Sequence, residues 1–225
     1  MPLARSRSVV TVAESLVCAG SVLPSVRDDI RRYCGLPWSG GHPETWGYES
    51  FDCTPTGSDD LPGPPDLLAA ASIHPGFGQS EMLFFRSGGG EALESWLSRL
   101  PREVDLADAD ESILEILGEL PELSGTVGLE IGSKIAAHKR PRLIPIFGPA
   151  LVDCYASLTG VVGEASWPSL LRFMQRDLAL PVNRDFLKGV AEELAIELDG
   201  PVPSHLRMVD IAIWMESNDE ACSSV

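Results

Sequence analysis

The chain has 225 residues, of which 44% are hydrophobic, and carries a formal net charge of −16 at pH 7. That length and apolar content are typical of one folded domain with a buried core, and they exclude a disordered chain. No apolar run reaches the ~18 residues that a membrane span needs, so we expect no membrane insertion. The acidic charge argues against extended DNA binding, because Lys and Arg must replace the counterions of the phosphates.

The five cysteines are odd in number and widely scattered along the chain. This pattern predicts reduced thiols and a cytoplasmic location better than a disulfide framework. No Cys-x-x-Cys pair occurs, and the four histidines are dispersed. The sequence therefore predicts neither a metal site nor a cofactor.

Residues 9–20 and 24–34 each read as a helix, with Gly20 ending the first. The next segment, residues 36–65, is rich in Gly and Pro, and we name it the aromatic loop for the side chains Trp38, Trp46, Tyr48 and Phe51. Disordered segments are normally poor in aromatic residues, so we expect this loop to be ordered. It either folds over a pocket or wraps the core.

Helical periodicity and helix start and stop signals then predict a series of further helices. They cover residues 65–73, 91–100, 108–120, 131–138, 166–180, 183–198 and 201–215. Residues 80–85 are ambiguous between strand and helix, and SGGG at 87–90 predicts a flexible break. We therefore predict a single all-α domain over residues 1–216, followed by a disordered tail, 217–225.

The stretch from Leu120 to Tyr155 organises the rest of the chain. A helix leads into a turn with Gly125 and Gly128, and glycine permits the close backbone approach of a tight connection. A second helix ends in the basic run HKRPR, and the apolar link LIPIF then leads to Pro149, a residue favoured at the start of a helix. The pattern predicts a helical hairpin over 113–138, an extended link and a new helix.

This order of elements resembles the helix-hairpin-helix core of DNA glycosylases. More closely, SKIAAHKRPRLIPIF and the later LRMVDIAIWM (206–215) are similar to motifs of the domain-of-unknown-function 6308 family. The resemblance covers residues 47–215. It implies an all-α, two-lobed glycosylase-like fold, with the hairpin between the lobes and a cleft at the helix that follows Gly148.

The sequence departs from the glycosylase pattern at the two positions that carry the chemistry. Counted from Gly128, the hairpin lysine of lyase-type members falls on Glu130, and the catalytic Asp falls on Gly148. Glycine has no side chain to stabilise a cationic sugar or to activate water. The usual base-excision chemistry is therefore not expected.

The local cations concentrate at the end of the hairpin, where Lys134, Arg140 and Arg142 are the candidate substrate-binding residues. Arginine suits bidentate binding of phosphate or carboxylate. The alternative is a solvated helix end whose cations offset the helix dipole and pair with the acidic helices. A buried Lys134 could also act as a base or an amine nucleophile. The glycine turn itself either binds an anion through backbone N–H groups or only joins two helices.

Carboxylates and aromatic residues near the expected cleft complete the candidate site. An Asp in an apolar helix is either a partnered structural group or a functional one, and both interpretations stay open. The candidate catalytic residues are Tyr48, Asp52 and Asp153, and the further candidate binding residues are Trp46, Asp210 and Trp214.

Three functions of different classes fit this sequence. The first is a repurposed glycosylase-fold enzyme, metal-independent and of lyase or cyclase type, that acts on a small charged molecule, as in natural-product (antibiotic) biosynthesis. The second is a catalytically inactive subunit that binds a partner protein. The third is a divergent DNA glycosylase with a displaced carboxylate. The acidic charge and Gly148 favour the first over the third, so we expect a small-molecule substrate and not DNA.

Overall fold

The computed structural model describes residues 15–41, 46–57, 59–74, 76–123, 125, 127–159 and 166–223. It is 63% helix and 4% strand, so the all-α class predicted from the sequence is confirmed. No helix in this part of the chain is both long and apolar enough to cross a bilayer.

The prediction of a helix over 9–20 is wrong in its described part, where the chain forms an antiparallel hairpin. Its strands are β1, Leu16–Cys18, and β2, Ser21–Leu23. At the turn, Ala19 and Gly20 have φ values of 54° and 74°, which no right-handed helix contains. Asn183 bonds to both backbone groups of Val17, as a neighbouring strand would, and it lies 166 positions away in the chain. The rest of the predicted helix lies outside the described residues.

Among the described residues between this hairpin and the central stretch lie four α-helices, two π-helical turns and a 3₁₀ turn, Leu106–Asp108. The helices are α1, Val26–Tyr33; α2, Pro64–Ser72; α3, Gln79–Phe84; and α4, Gly90–Leu97. One π-helical turn, Tyr48–Asp52, lies inside the aromatic loop and buries Phe51, so the described part of this loop is folded against the core. The other, Phe85–Gly89, contains Gly88 at φ 100°, where the sequence predicted a break.

The central stretch has helices on both sides of the Gly128 turn, then a link and a new helix, but the single helix predicted over 108–120 is divided into two. Its helices are α5, Glu111–Leu117; α6, Leu120–Leu123; α7, Leu129–Lys139; and α8, Pro149–Thr159. Asp110 caps α5, since its carboxylate accepts a hydrogen bond from the Ile113 N–H at 3.0 Å. Gly128 precedes α7 with φ 80°, a left-handed conformation that favours glycine. The helix α6 packs against α7, which closes the hairpin.

The last three helices supply much of the buried core. They are α9, Trp167–Ala179; α10, Pro181–Glu197; and α11, His205–Ser223. The helix α11 packs against α1, α8 and α10, and residues 217–223, predicted as a disordered tail, continue it. Each large apolar side chain that it buries contributes roughly 1.5–3 kcal/mol. These buried residues are Leu206, Met208, Val209, Ile211, Ile213 and Met215.

Candidate active site

A cavity of about 580 Å³ opens between α7, the start of α8 and α11. We name it the Lys134 cavity. Its volume lies within the range of roughly 300–1,000 Å³ that is typical of small-molecule sites. Apolar walls with a few polar groups are also typical of such sites. Its charged and aromatic lining residues are Tyr33, Trp46, Glu130, Lys134, Phe147, Arg207, Asp210 and Trp214.

Lys134 projects from the middle of α7, and only 7% of its side chain is exposed. Its Nζ donates to Glu130 Oε1 at 2.6 Å, one helical turn earlier, and lies 3.0 Å from His74 Nδ1. Burial lowers the pKa of the Lys134 amine, although the hydrogen bond and the charge of Glu130 oppose this. A lowered pKa increases the fraction of neutral amine, which is the form that accepts a proton or attacks carbon.

His74 connects the two charged partners of this cluster. Its Nδ1 lies 3.0 Å from Lys134 Nζ and 3.2 Å from Glu130 Oε1. In the neutral ring this one nitrogen either accepts from Lys134 or donates to Glu130, depending on the tautomer. The side chain of Glu130 is 36% exposed, and the hydrogen bond and charge of Lys134 hold its pKa below the usual range although burial acts to raise it. The cluster therefore offers a path for a proton between the cavity and solvent.

Asp210 lines the cavity from α11. Its Oδ2 accepts a hydrogen bond from the Ile146 N–H at 3.0 Å, but its Oδ1 is buried with no partner among the described residues. Burial raises the pKa of this carboxyl to about 7, although the nearby Arg207 charge acts to lower it. A buried carboxylate oxygen without a partner costs roughly 1–3 kcal/mol or more, so this position is costly for stability.

Arg207, one turn before Asp210, is held in place by Asp52 and Tyr33. Its Nε donates to Asp52 Oδ1 at 2.9 Å and its Nη2 donates to the Tyr33 hydroxyl at 2.6 Å. The same hydroxyl donates to Asp52 Oδ2 at 2.7 Å. Asp52 itself does not line the Lys134 cavity. It acts on this site by positioning and neutralising Arg207, and its charge also contributes to the raised pKa of Asp210.

Three aromatic rings form one corner of the cavity. The rings of Trp46 and Trp214 meet at 82° with centroids 5.2 Å apart, and those of Tyr33 and Trp214 meet at 83° with centroids 6.5 Å apart. Such edge-to-face contacts fix the ring orientations. Trp214 is 40% exposed, so the corner reaches the protein surface.

Gly148 and Pro149 line the cavity at the start of α8. A Cβ built on Gly148 meets no atom within 4 Å. The sequence predicted that this point of the chain faces a cleft between two lobes; the structure places it at the Lys134 cavity, and the two-lobed arrangement stays a prediction. Open space therefore occupies the position that the resemblance assigns to a catalytic carboxylate.

The structure brings together only part of the predicted site. Lys134, Trp46, Asp210 and Trp214 all line the Lys134 cavity. Of the residues predicted as catalytic, none does. Tyr48 is buried and donates its hydroxyl to the Pro201 carbonyl at 2.9 Å, Asp52 holds Arg207, and Asp153 is exposed on α8 outside the cavity.

The two predicted anion-binding arginines lie outside this cavity and already have partners. Arg140 is 2% exposed and pairs with Asp60. Arg142 pairs with Asp105 at 2.7 Å and lines a second cavity of about 420 Å³. The neighbouring Lys139 is buried against Asp66 at 2.9 Å. The basic run is therefore not a set of free anion contacts at the Lys134 cavity. Its cations pair with acidic residues, as the alternative interpretation held, but Lys139 and Arg140 are buried and not solvated.

Sequence reasoning missed three groups of the site: His74, Arg207 and Tyr33. Arg207 and Asp210 are three positions apart on an otherwise apolar helix, a spacing that could have marked both. His74 and Tyr33 carry no comparable local signal. Among the described residues, no cluster of three or more His, Cys, Asp or Glu side chains could hold a metal ion.

Comparison with known proteins gives one family match. The family described as "Family of unknown function (DUF6308)" matches residues 26–217, which include every residue of the Lys134 cavity. No curated protein and no solved structure matches the chain.

Proposed function

The chain belongs to the domain-of-unknown-function 6308 family, and we propose that it is an enzyme acting on a small charged molecule in the Lys134 cavity. The reaction class is an elimination, cyclisation or other lyase-type step. The observation that carries this proposal is the buried Lys134 amine beside Glu130 and His74, in a cavity of small-molecule size.

In the resting site Lys134 pairs with Glu130 as an ammonium group, and its lowered pKa helps it to lose that proton. In this reaction the resulting neutral amine accepts a proton from a carbon of the substrate. The electron pair of the broken C–H bond forms the new bond, and the leaving group departs with the electron pair of its own bond. Lys134 then passes its proton through His74 or directly to Glu130, both of which lie within hydrogen-bonding distance. The partly exposed Glu130 returns the proton to solvent.

Charge supports a small substrate over DNA. The chain has a net charge of −16, and Lys139, Arg140 and Arg142 are each committed to an acidic partner. Binding to a duplex depends on cations that are free to replace counterions on phosphates. A cavity of about 580 Å³ accommodates a metabolite without that requirement.

We also propose that the helices form the two-lobed glycosylase-like arrangement that the sequence motifs imply. Two observations support this: α6 and α7 join through the left-handed Gly128, and α8 begins at the Lys134 cavity. Gly148, at the position of the glycosylase carboxylate, then leaves room for a ligand.

The test compares wild type with Lys134→Met in a small-molecule extract of cells, prepared in heavy water. Mass spectrometry follows which compounds are consumed or acquire deuterium, because proton abstraction from carbon exchanges hydrogen with solvent. The matched control is Lys188→Met, since that side chain is 72% exposed on α10. We expect wild type and the control to change the same compounds and Lys134→Met to change none. No change with wild type, or equal change with Lys134→Met, contradicts the proposal.

A further inference from the structure

The charges that line the Lys134 cavity are paired, with one exception. Lys134 pairs with Glu130 at 2.6 Å, and Arg207 pairs with Asp52 at 2.9 Å behind the cavity wall. Asp210 forms no ion pair with any described residue, and its Oδ1 has no hydrogen-bond partner. With Asp210 ionised, the cavity therefore lacks one positive charge.

The aromatic corner lies one helical turn from that carboxylate. Trp214 follows Asp210 by four positions on α11, which places both residues on one face of the helix. Trp46 and Tyr33 stand nearly perpendicular to Trp214, and each of the two already carries a guanidinium over its ring, Arg32 over Trp46 and Arg207 over Tyr33, both at 5.2 Å. Trp214 is therefore the ring of this corner that we assign to a ligand. The faces of Trp and Tyr rings carry negative potential and attract organic cations.

We propose that the ligand of this cavity is an organic amine whose ammonium group pairs with the Asp210 carboxylate and packs against Trp214. This inference rests on the proposed function and names the substrate class. The ammonium group supplies the positive charge that the lining of the cavity lacks beside Asp210. An anionic ligand is disfavoured, because Lys134 and Arg207 already have acidic partners and Asp210 repels it.

Asp210 on α11 and Lys134 on α7 both line the cavity. The proposal gives the amine to Asp210 and proton abstraction to Lys134. The amine thus provides binding and orientation, and proton transfer takes place at a different atom of the ligand. A substrate of this class is an amine with a removable C–H proton and a leaving group elsewhere in the molecule.

The test uses three probes of matched size and different charge: benzylamine, benzyl alcohol and benzoate. Calorimetry or ligand-observed NMR at about pH 8 measures their binding to wild type, Asp210→Asn and Trp214→Leu. Asp153→Asn is the control, because it removes the same charge from an exposed site on α8 outside the cavity. The amide of Asp210→Asn can still accept the Ile146 hydrogen bond, so the fold is expected to persist.

We expect wild type and Asp153→Asn to bind benzylamine at least about tenfold more tightly than benzyl alcohol and benzoate. Asp210→Asn should lose this preference, and Trp214→Leu should weaken benzylamine binding by about threefold or more. The inference is overturned if wild type does not bind benzylamine, if benzoate or benzyl alcohol binds equally well, or if Asp210→Asn binds benzylamine as wild type does.

The result does not depend on the proposed reaction, because benzylamine has no leaving group. Lys134→Met should therefore keep benzylamine binding while it loses turnover. If wild type binds benzylamine but turns over no compound, the proposed enzymatic function is contradicted and the amine ligand is not. If Lys134→Met loses a turnover that wild type has, but wild type shows no preference for the amine, the amine ligand is contradicted and the enzymatic function is not.

Discussion

Replacing Asp210 by Asn should make the protein more stable, and the gain should grow with pH. The amide has nearly the same shape as the carboxyl group, and its oxygen can accept the hydrogen bond from the Ile146 N–H. The substitution removes only the charge, which burial opposes and which no ion pair compensates. Functional sites often retain such groups at the expense of stability.

The magnitude follows from the pKa of Asp210, which burial raises from 3.8 to about 7. Between these values the unfolded chain is ionised while the folded protein holds a proton, so wild-type stability falls as pH rises from about 4 to 7. About three pKa units at roughly 1.4 kcal/mol each give a loss of about 4 kcal/mol. The Asn variant does not suffer this loss.

Urea unfolding of both proteins, followed by circular dichroism between about pH 4 and pH 8, measures the difference. Near pH 4 the two free energies of unfolding should agree to within about 1 kcal/mol, and near pH 8 the variant should be more stable by about 2–4 kcal/mol. The other groups that act on Asp210, Arg207 and Asp52, are the same in both proteins. A difference that does not change with pH, or a less stable variant near pH 8, refutes the reasoning.

Three further predictions concern the ion pairs of Asp66, two glycines with open space around them, and DNA binding. Asp66→Asn, which removes the charge that pairs with His138 and Lys139, should cost about 3–5 kcal/mol in urea unfolding. Because these hydrogen bonds lower the pKa of Asp66 to about 2 against the effect of burial, their stabilisation should be lost as pH falls from about 4 towards 2. Gly148→Ala should keep the melting temperature within about 2 °C in thermal scans, yet weaken ligand binding measured by calorimetry, because the methyl group enters the cavity. Gly189→Ala, in the middle of α10, should stabilise the protein by roughly 0.5–1 kcal/mol in the same thermal scans. A labelled 20-base-pair duplex should bind no tighter than about 10⁻⁶ M at physiological salt by anisotropy, and nanomolar binding would contradict the charge argument.

The sequence pattern predicted helices correctly where a segment forms most of its backbone hydrogen bonds within itself. The predicted helices at 24–34, 65–73, 166–180 and 183–198 correspond to α1, α2, α9 and α10 within a few residues. Their hydrogen bonds run between positions four apart, and their apolar periodicity records the buried face. The hairpin of β1 and β2 was missed although its two strands pair with each other. Its outer hydrogen bonds come from Asn183 near the far end of the chain, which local pattern does not record.

The features of the candidate site fall into the same two groups, those set by near neighbours in the chain and those set by distant residues. The sequence by itself determined the helical class, the Gly128 turn, and the placement of Asp210 and Trp214 on one face of a helix, because each of these depends on neighbours within four residues. Only the tertiary structure decided which of the predicted binding cations faces the Lys134 cavity. Asp66 and Asp60 neutralise Lys139 and Arg140 across more than 70 positions of chain, and Lys134 remains at the cavity with Glu130. Burial and charge pairing depend on distance in space, and no periodicity in the chain records that distance.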